Sequence, residues 1–205
     1  MGAGYLTDDR VKALAAAEVA LTRALLLVPN NAIAHHFMGI VQRHTNRPTQ
    51  AIAEFERALT LNPNLATARA NSGGAKVFAG RAEETEGDVN EALRLSPRDQ
   101  RAWAWMSFLG LASHQLGMDE DAVTWFRRGI ELNPNFPLLH FFLAAGLANL
   151  RKLKEAKVEA EAGLALDPTF TVRRFDLSPS SDNPTYLKQH ERLVNGIRKA
   201  GVPEG

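Results

Sequence analysis

Residues 58–68 read ALTLNPNLATA: an apolar run, a proline, a polar residue, then small and apolar residues again. The same phrase stands at 24–34 (ALLLVPNNAIA), 92–102 (ALRLSPRDQRA), 129–139 (GIELNPNFPLL) and 163–173 (GLALDPTFTVR). Pro29, Pro63, Pro97, Pro134 and Pro168 are therefore spaced 34, 34, 37 and 34 residues apart. A fixed period of this length marks an array of supersecondary units, each too small to bury its apolar face alone. The excess of three residues falls in the unit between Pro97 and Pro134.

Each period reads as helix, turn, helix. In the copy from Asn30 to Pro63, Ala32–His44 holds no breaker except Gly39. TNRP, 45–48, supplies the turn: Asn46 suits the left-handed position that ends a helix, and Pro48 suits the first turn of the next. Ala51, Ile52, Phe55, Ala58, Leu59 and Leu61 then recur at helical spacing. Pro63 closes the unit, because the residue before a proline is driven out of helical geometry. Gly80 and Gly117 punctuate the next two copies, with Asp119 read as an N-cap.

This pattern resembles the tetratricopeptide repeat family. The resemblance rests on Gly39, Ala51, Phe55, Ala58 and Pro63, and on Gly110, Ala122, Phe126, Gly129 and Pro134. Ala144, Ala156, Ala160, Gly163 and Pro168 continue it, and Gly73, Thr85, Val89, Ala92 and Pro97 form the most divergent copy. It spans about residues 8–170. It implies an all-α solenoid of stacked antiparallel hairpins, wound as a right-handed superhelix. The small residues have a physical role there: helices packed about 8–10 Å apart leave no room for large side chains at the crossing.

The expected organisation is a solenoid over 1–174, with a half unit at 7–31 and repeats at about 32–65, 66–99, 100–136 and 137–170. Thr7 or Asp8 caps the half unit's helix, whose Leu14, Leu21, Leu25 and Leu26 have few partners within the chain, as in a piece of a longer protein. FDLSPSSDNP follows, with a linker at 175–183. Asn183 and Pro184 open a last helix in 184–205 with one apolar stripe: Tyr186, Leu187, His190, Leu193, Val194 and Ile197. That helix either caps the last hairpin or lies in the protein's own groove as an autoinhibitory segment. Residues 181–205 also resemble the C-terminus of bacterial proteins that join a class III nucleotidyl cyclase domain to tetratricopeptide repeats. No cyclase motif stands in the chain.

Composition narrows the function. The formal net charge is +1 over 205 residues, so the chain carries no field suited to nucleic acid or an anionic membrane. Cysteine is absent, which removes thiol catalysis and disulfides. The apolar run Ala24–Val28 is too short to span a bilayer, and the expected location is cytoplasmic. SGGAKVFAG, 72–80, follows no strand and is no phosphate loop. His36 and His44 lie two turns apart on one helix, too far for one metal. His35 and His140 read as structural, and no cofactor or catalytic site is expected.

The family's concave groove, lined by the first helix of each hairpin, would be formed here by Ile33, His36, Ile40, Arg43, His44, Asn71, Val77, Phe78, Phe108, Leu111, His114, Phe141 and Asn149. Asn71 resembles a residue by which some members grip acidic chaperone tails, but the lysines of that clamp are missing. A mostly apolar groove suits a peptide or amphipathic helix. The expected function is a non-catalytic protein-binding module, a regulatory segment of a larger signalling protein. The alternative is a self-assembling homo-oligomeric scaffold, which light scattering across concentration would reveal.

Overall fold

The computed structural model describes residues 8–177 and 180–205. The expectations that fall on Thr7, Ser178 and Pro179 lie outside them.

Among the described residues every regular element is helical. α1 (Asp8–Leu27) precedes four hairpins: α2 (Ala32–His44) with α3 (Pro48–Leu61), α4 (Ala66–Phe78) with α5 (Thr85–Leu95), α6 (Ala102–Gln115) with α7 (Asp119–Leu132), and α8 (Pro137–Asn149) with α9 (Leu153–Leu166). A short α10 (Val172–Asp176) and a longer α11 (Pro184–Lys199) complete the chain. Each hairpin packs on the next, so the fold is an α-solenoid.

The four hairpin turns share one backbone device. Asn46, Gly80, Gly117 and Arg151 occupy the left-handed region, with φ of 63°, 74°, 79° and 61°. After each, an amide reaches back five residues: Arg47 N to the Gln42 carbonyl at 2.9 Å, Arg81 N to Lys76 at 2.8 Å, Met118 N to Ser113 at 2.8 Å and Lys152 N to Leu147 at 2.9 Å. This bond satisfies a carbonyl that the ending helix leaves unpaired.

The three surplus residues also find their place. The connections before α2, α4 and α8 hold four residues, whereas that before α6 runs from Ser96 to Arg101 and holds two more. α6 is one residue longer than the 13-residue α2, α4 and α8. Asp119 is not an N-cap: it is the first residue of α7, Met118 precedes it, and no side chain caps that end. Its carboxylate is turned instead to Arg192 of α11.

At three of the four hairpin crossings a ring lies on a glycine; between α4 and α5, Gly73 meets Val89 instead. A Cβ on Gly39 would stand 2.7 Å from the Phe55 ring, and one on Gly110 would run into the ring of Phe126. In the last hairpin the arrangement is inverted. Ala160 of α9 takes the register of Phe55 and Phe126, and Phe141 of α8 fills the space from the opposite helix, against Gly163. Phe141 stacks on Phe170 at 3.7 Å between ring centroids and is fully buried. The expectation that Phe141 lines the groove is thereby corrected.

Two histidines brace hairpins in the same way. His35 Nδ1 meets Glu54 at 2.6 Å and its Nε2 meets the Pro29 carbonyl at 2.8 Å. His140 repeats this with Glu159 at 2.8 Å and Pro134 at 3.1 Å. Both ring nitrogens of His140 thus face acceptors. Its hydrogen bond with Glu159, opposed by burial and supported by the Pro134 carbonyl, raises its pKa above the ordinary value.

Candidate functional site

α11 decides the shape of the inner surface. Asn183 caps it, accepting from the amides of Thr185 and Tyr186, and Pro184 fits its first turn. Tyr186, His190, Leu193, Val194 and Ile197 are buried, while Leu187 of the expected stripe turns outward. These side chains face the inner helices of the solenoid. α11 lies against α8, reaches α6, and sets Tyr186 beside Phe78 of α4 with ring centroids 5.7 Å apart. The last helix therefore reaches past the final hairpin to the first helices of the two hairpins before it.

Three contacts seat it. Gly196 rides on Ala145, where even a Cβ would come within 2.9 Å of the Ala145 backbone. Arg192 donates through Nη1 to the His114 carbonyl at 2.7 Å and through Nη2 to the Asp119 carboxylate. The tail beyond α11 then pairs with the start of α10: Val172 N donates to the Pro203 carbonyl, and Arg173 N to that of Glu204, each at 2.9 Å. Burial raises the Asp119 pKa, but the bonds from His114 and Arg192 outweigh it and hold that carboxyl below its ordinary range.

Between α11 and the inner helices remains a cavity of about 170 Å³. Of the residues expected in the groove, Arg43, His44, Val77, Phe78, Phe108, Leu111 and His114 meet around it. The other six do not. Ile33 is half exposed at the far end of α2. His36 is buried beside the Phe55 ring. Ile40 packs against the core of the first hairpin. Asn71 spends its amide on the Thr67 carbonyl of its own helix, at 2.8 Å. Phe141 is in the core, and Asn149 lies outside the cavity lining. The sequence offers α11 in the groove as one of two readings but names no wall residue from it; the tail supplies Ser180, Tyr186, Gln189, His190 and Leu193, and Phe136, Phe142 and Phe175 join them. The apolar stripe of α11 was the available signal, since such a stripe must be buried against something.

The cavity's electrostatics follow from burial. It pushes His36 down to about 4 and His44 to about 3, and the positive charge of Arg43 adds to each. His114 and His190 are also pushed down, mainly by burial. All four are therefore uncharged at neutral pH. Arg43 is then the one charged side chain on the cavity wall. Its guanidinium carbon lies over the rings of Phe78 and Phe108, at 5.9 and 5.5 Å from their centroids. Among the described residues no three histidine or acidic side chains are grouped so as to hold a metal ion. No described helix is long and apolar enough to cross a membrane.

Comparison with known proteins agrees with this architecture. Tetratricopeptide repeat families match residues 12–66 and 106–136. The type IV pilus assembly protein PilF of Pseudomonas aeruginosa is 28% identical over 157 residues, covering 77% of this chain and 61% of PilF. The chain thus spans about three fifths of that relative's length. The solved structure of PilF superposes with a TM-score of 0.69 at 22% identity, covering 93% of this chain and 89% of the other. PilW, a type IV pilus biogenesis factor, gives 0.73 at 19% identity, over 89% and 84%. YrrB, a tetratricopeptide repeat protein described as having an unusual peptide-binding site, gives 0.57 at 23% identity, over 88% and 90%. Residues 12–66 and 106–136 thus match tetratricopeptide repeats, and the fold is that of tetratricopeptide repeat solenoids.

Proposed function

We propose that this protein is a non-catalytic docking module that receives a helical segment of another polypeptide on its concave face. The observation that carries this reading is intramolecular. The chain's own amphipathic α11 lies across that face, its apolar stripe against α8 and α6 and its polar clamp on the α6–α7 turn. A surface that seats one helix through spaced apolar side chains is built to seat another of the same pattern. Ile33, half exposed, extends the inner surface beyond the part that α11 covers. The peptide-binding site described for YrrB points the same way.

On this reading α11 is a resident competitor, and a partner gains access by displacing it. That makes the module a regulatory one. The likeness of residues 181–205 to tails that follow nucleotidyl cyclase domains supports a place in a larger signalling protein of that kind.

A synthetic peptide of residues 180–205, added to the chain carrying Gly196→Ala to loosen its own α11, tests the reading. Saturable binding is expected, and Leu193→Asp in the peptide should abolish it. A chain that ignores both peptides has no groove for helices.

A further inference from the structure

The cavity under α11 holds an imbalance. Its wall is mostly apolar, contains no carboxylate, and carries a single charge, the guanidinium of Arg43. The Nε of Arg43 is buried and has no hydrogen-bond partner. Among the described residues its one side-chain hydrogen bond is from Nη2 to Nε2 of neutral His44, at 3.3 Å. Burial, and then a second cation, Arg10, push its pKa down to about 10, so it stays charged at neutral pH, and among the described residues no carboxylate forms an ion pair with it. Two phenyl faces ease the desolvation of a guanidinium but do not neutralise it.

A second observation lies on the same wall. His114 is 1% exposed, and its Nε2 has no partner. Its Nδ1 lies between Arg192 Nη1, at 3.3 Å, and the Asp119 carboxylate, at 3.2 Å, which leaves Nε2 as the buried ring nitrogen that none of these groups uses. Both ring nitrogens of His190 are likewise without hydrogen-bond partners; Nε2 stands 4.0 Å from Asp176. Buried polar groups are ordinarily paired, so several idle ones around one cavity mark a place for a polar ligand. The volume sets its size: an apolar cavity of about 150 Å³ holds benzene, and this one is about 170 Å³.

We propose that this cavity binds a small carboxylic acid with one aromatic or branched apolar body. The carboxylate pairs with Arg43, and the body rests against Phe108, Leu111 and Phe142. Because Tyr186 and His190 of α11 form part of the wall, a bound acid joins the tail to α4 and α6 and favours the seated state of α11. The cavity exists only while α11 is seated, so on the reading above a partner helix that displaces α11 would release the acid, and the test below uses the chain without a partner.

Phenylacetate is the probe, titrated calorimetrically into the full chain, with Trp103 fluorescence as a second signal from the cavity wall. Saturable binding with a Kd below about 1 mM is expected for a ligand of this size. Phenylacetamide, which keeps the ring and loses the charge, should bind at least about tenfold more weakly, the usual span for a hydrogen bond to a charged group. Acetate, which lacks the ring, should not saturate. Arg43→Met should lose the preference for the acid while its circular dichroism melt stays intact. Equal binding of acid and amide by the unaltered chain, or no saturation by phenylacetate, overturns the assignment without relying on any variant. A short peptide ending in a free C-terminal phenylalanine that binds tenfold tighter than phenylacetate also overturns it, since a polypeptide end would then be the occupant.

Discussion

Gly196→Ala tests how α11 is held. The new Cβ would lie 2.8 Å from the Ala145 Cβ and 2.9 Å from both its Cα and its carbonyl oxygen. Ordinary contact begins near 3.4 Å, and two of these three atoms are backbone that cannot rotate away. α11 must retreat by about half an ångström, and overpacking of this kind costs about 1–3 kcal/mol. Alanine also favours helix over glycine by about 0.8–1 kcal/mol, but that gain acts on a helical tail whether it is docked or free. The seated state of α11 should therefore weaken by about 5- to 150-fold relative to the detached one. Native-state hydrogen exchange reads this directly, because α11 can open without the rest of the solenoid. Amides of Tyr186 to Ile197 should lose protection by that factor while those of α3 keep theirs. Unchanged or increased protection in α11 would refute the contact with α8, and with it the account of what fills the groove.

Phe55→Ala should lower stability by about 3–5 kcal/mol, since the ring is wholly buried on Gly39 and leaves a cavity that α2 and α3 cannot close. A thermal midpoint equal to that of the unaltered chain would show the hairpin register to be wrong. His140→Gln should change the pH dependence of stability. The folded-state pKa of His140 lies above its ordinary value of 6.5, so its contribution is complete below that pH and is lost as pH rises through the raised value. Buried His36, His44, His114 and His190 act with the opposite sign below pH 6.5, so only the difference between the chain and the variant isolates His140. Urea midpoints from about pH 5.5 to 8.5 should converge at the alkaline end; a constant difference would remove the ion pair with Glu159.

The solenoid was legible in the sequence because its signals are local and repeated. Proline closes each unit, Asn46, Gly80 and Gly117 turn it, and in three of the four hairpins a glycine faces a ring at the crossing. These choices involve residues within one 34-residue period, where spacing alone says what can touch. Even the exception at Phe141 had a local trace, in the alanine that stands at 160 where an aromatic would be expected.

The site was only half legible. Arg43, Phe78, Leu111 and His114 could be placed on the inner face by register. What closes over them could not be, because α11 meets them across large separations: Arg192 and His114 are 78 residues apart in the chain. An apolar stripe states that a helix must be buried and does not say against which surface. Asp119, at the start of its helix, reads locally as a cap, yet a distant arginine claims it. The repeat and its turns were thus determined by the sequence itself, through interactions of short range. The seating of the tail, and the unpaired cation it helps enclose, were decided only by tertiary packing, because both depend on which groups arrive from elsewhere and which do not.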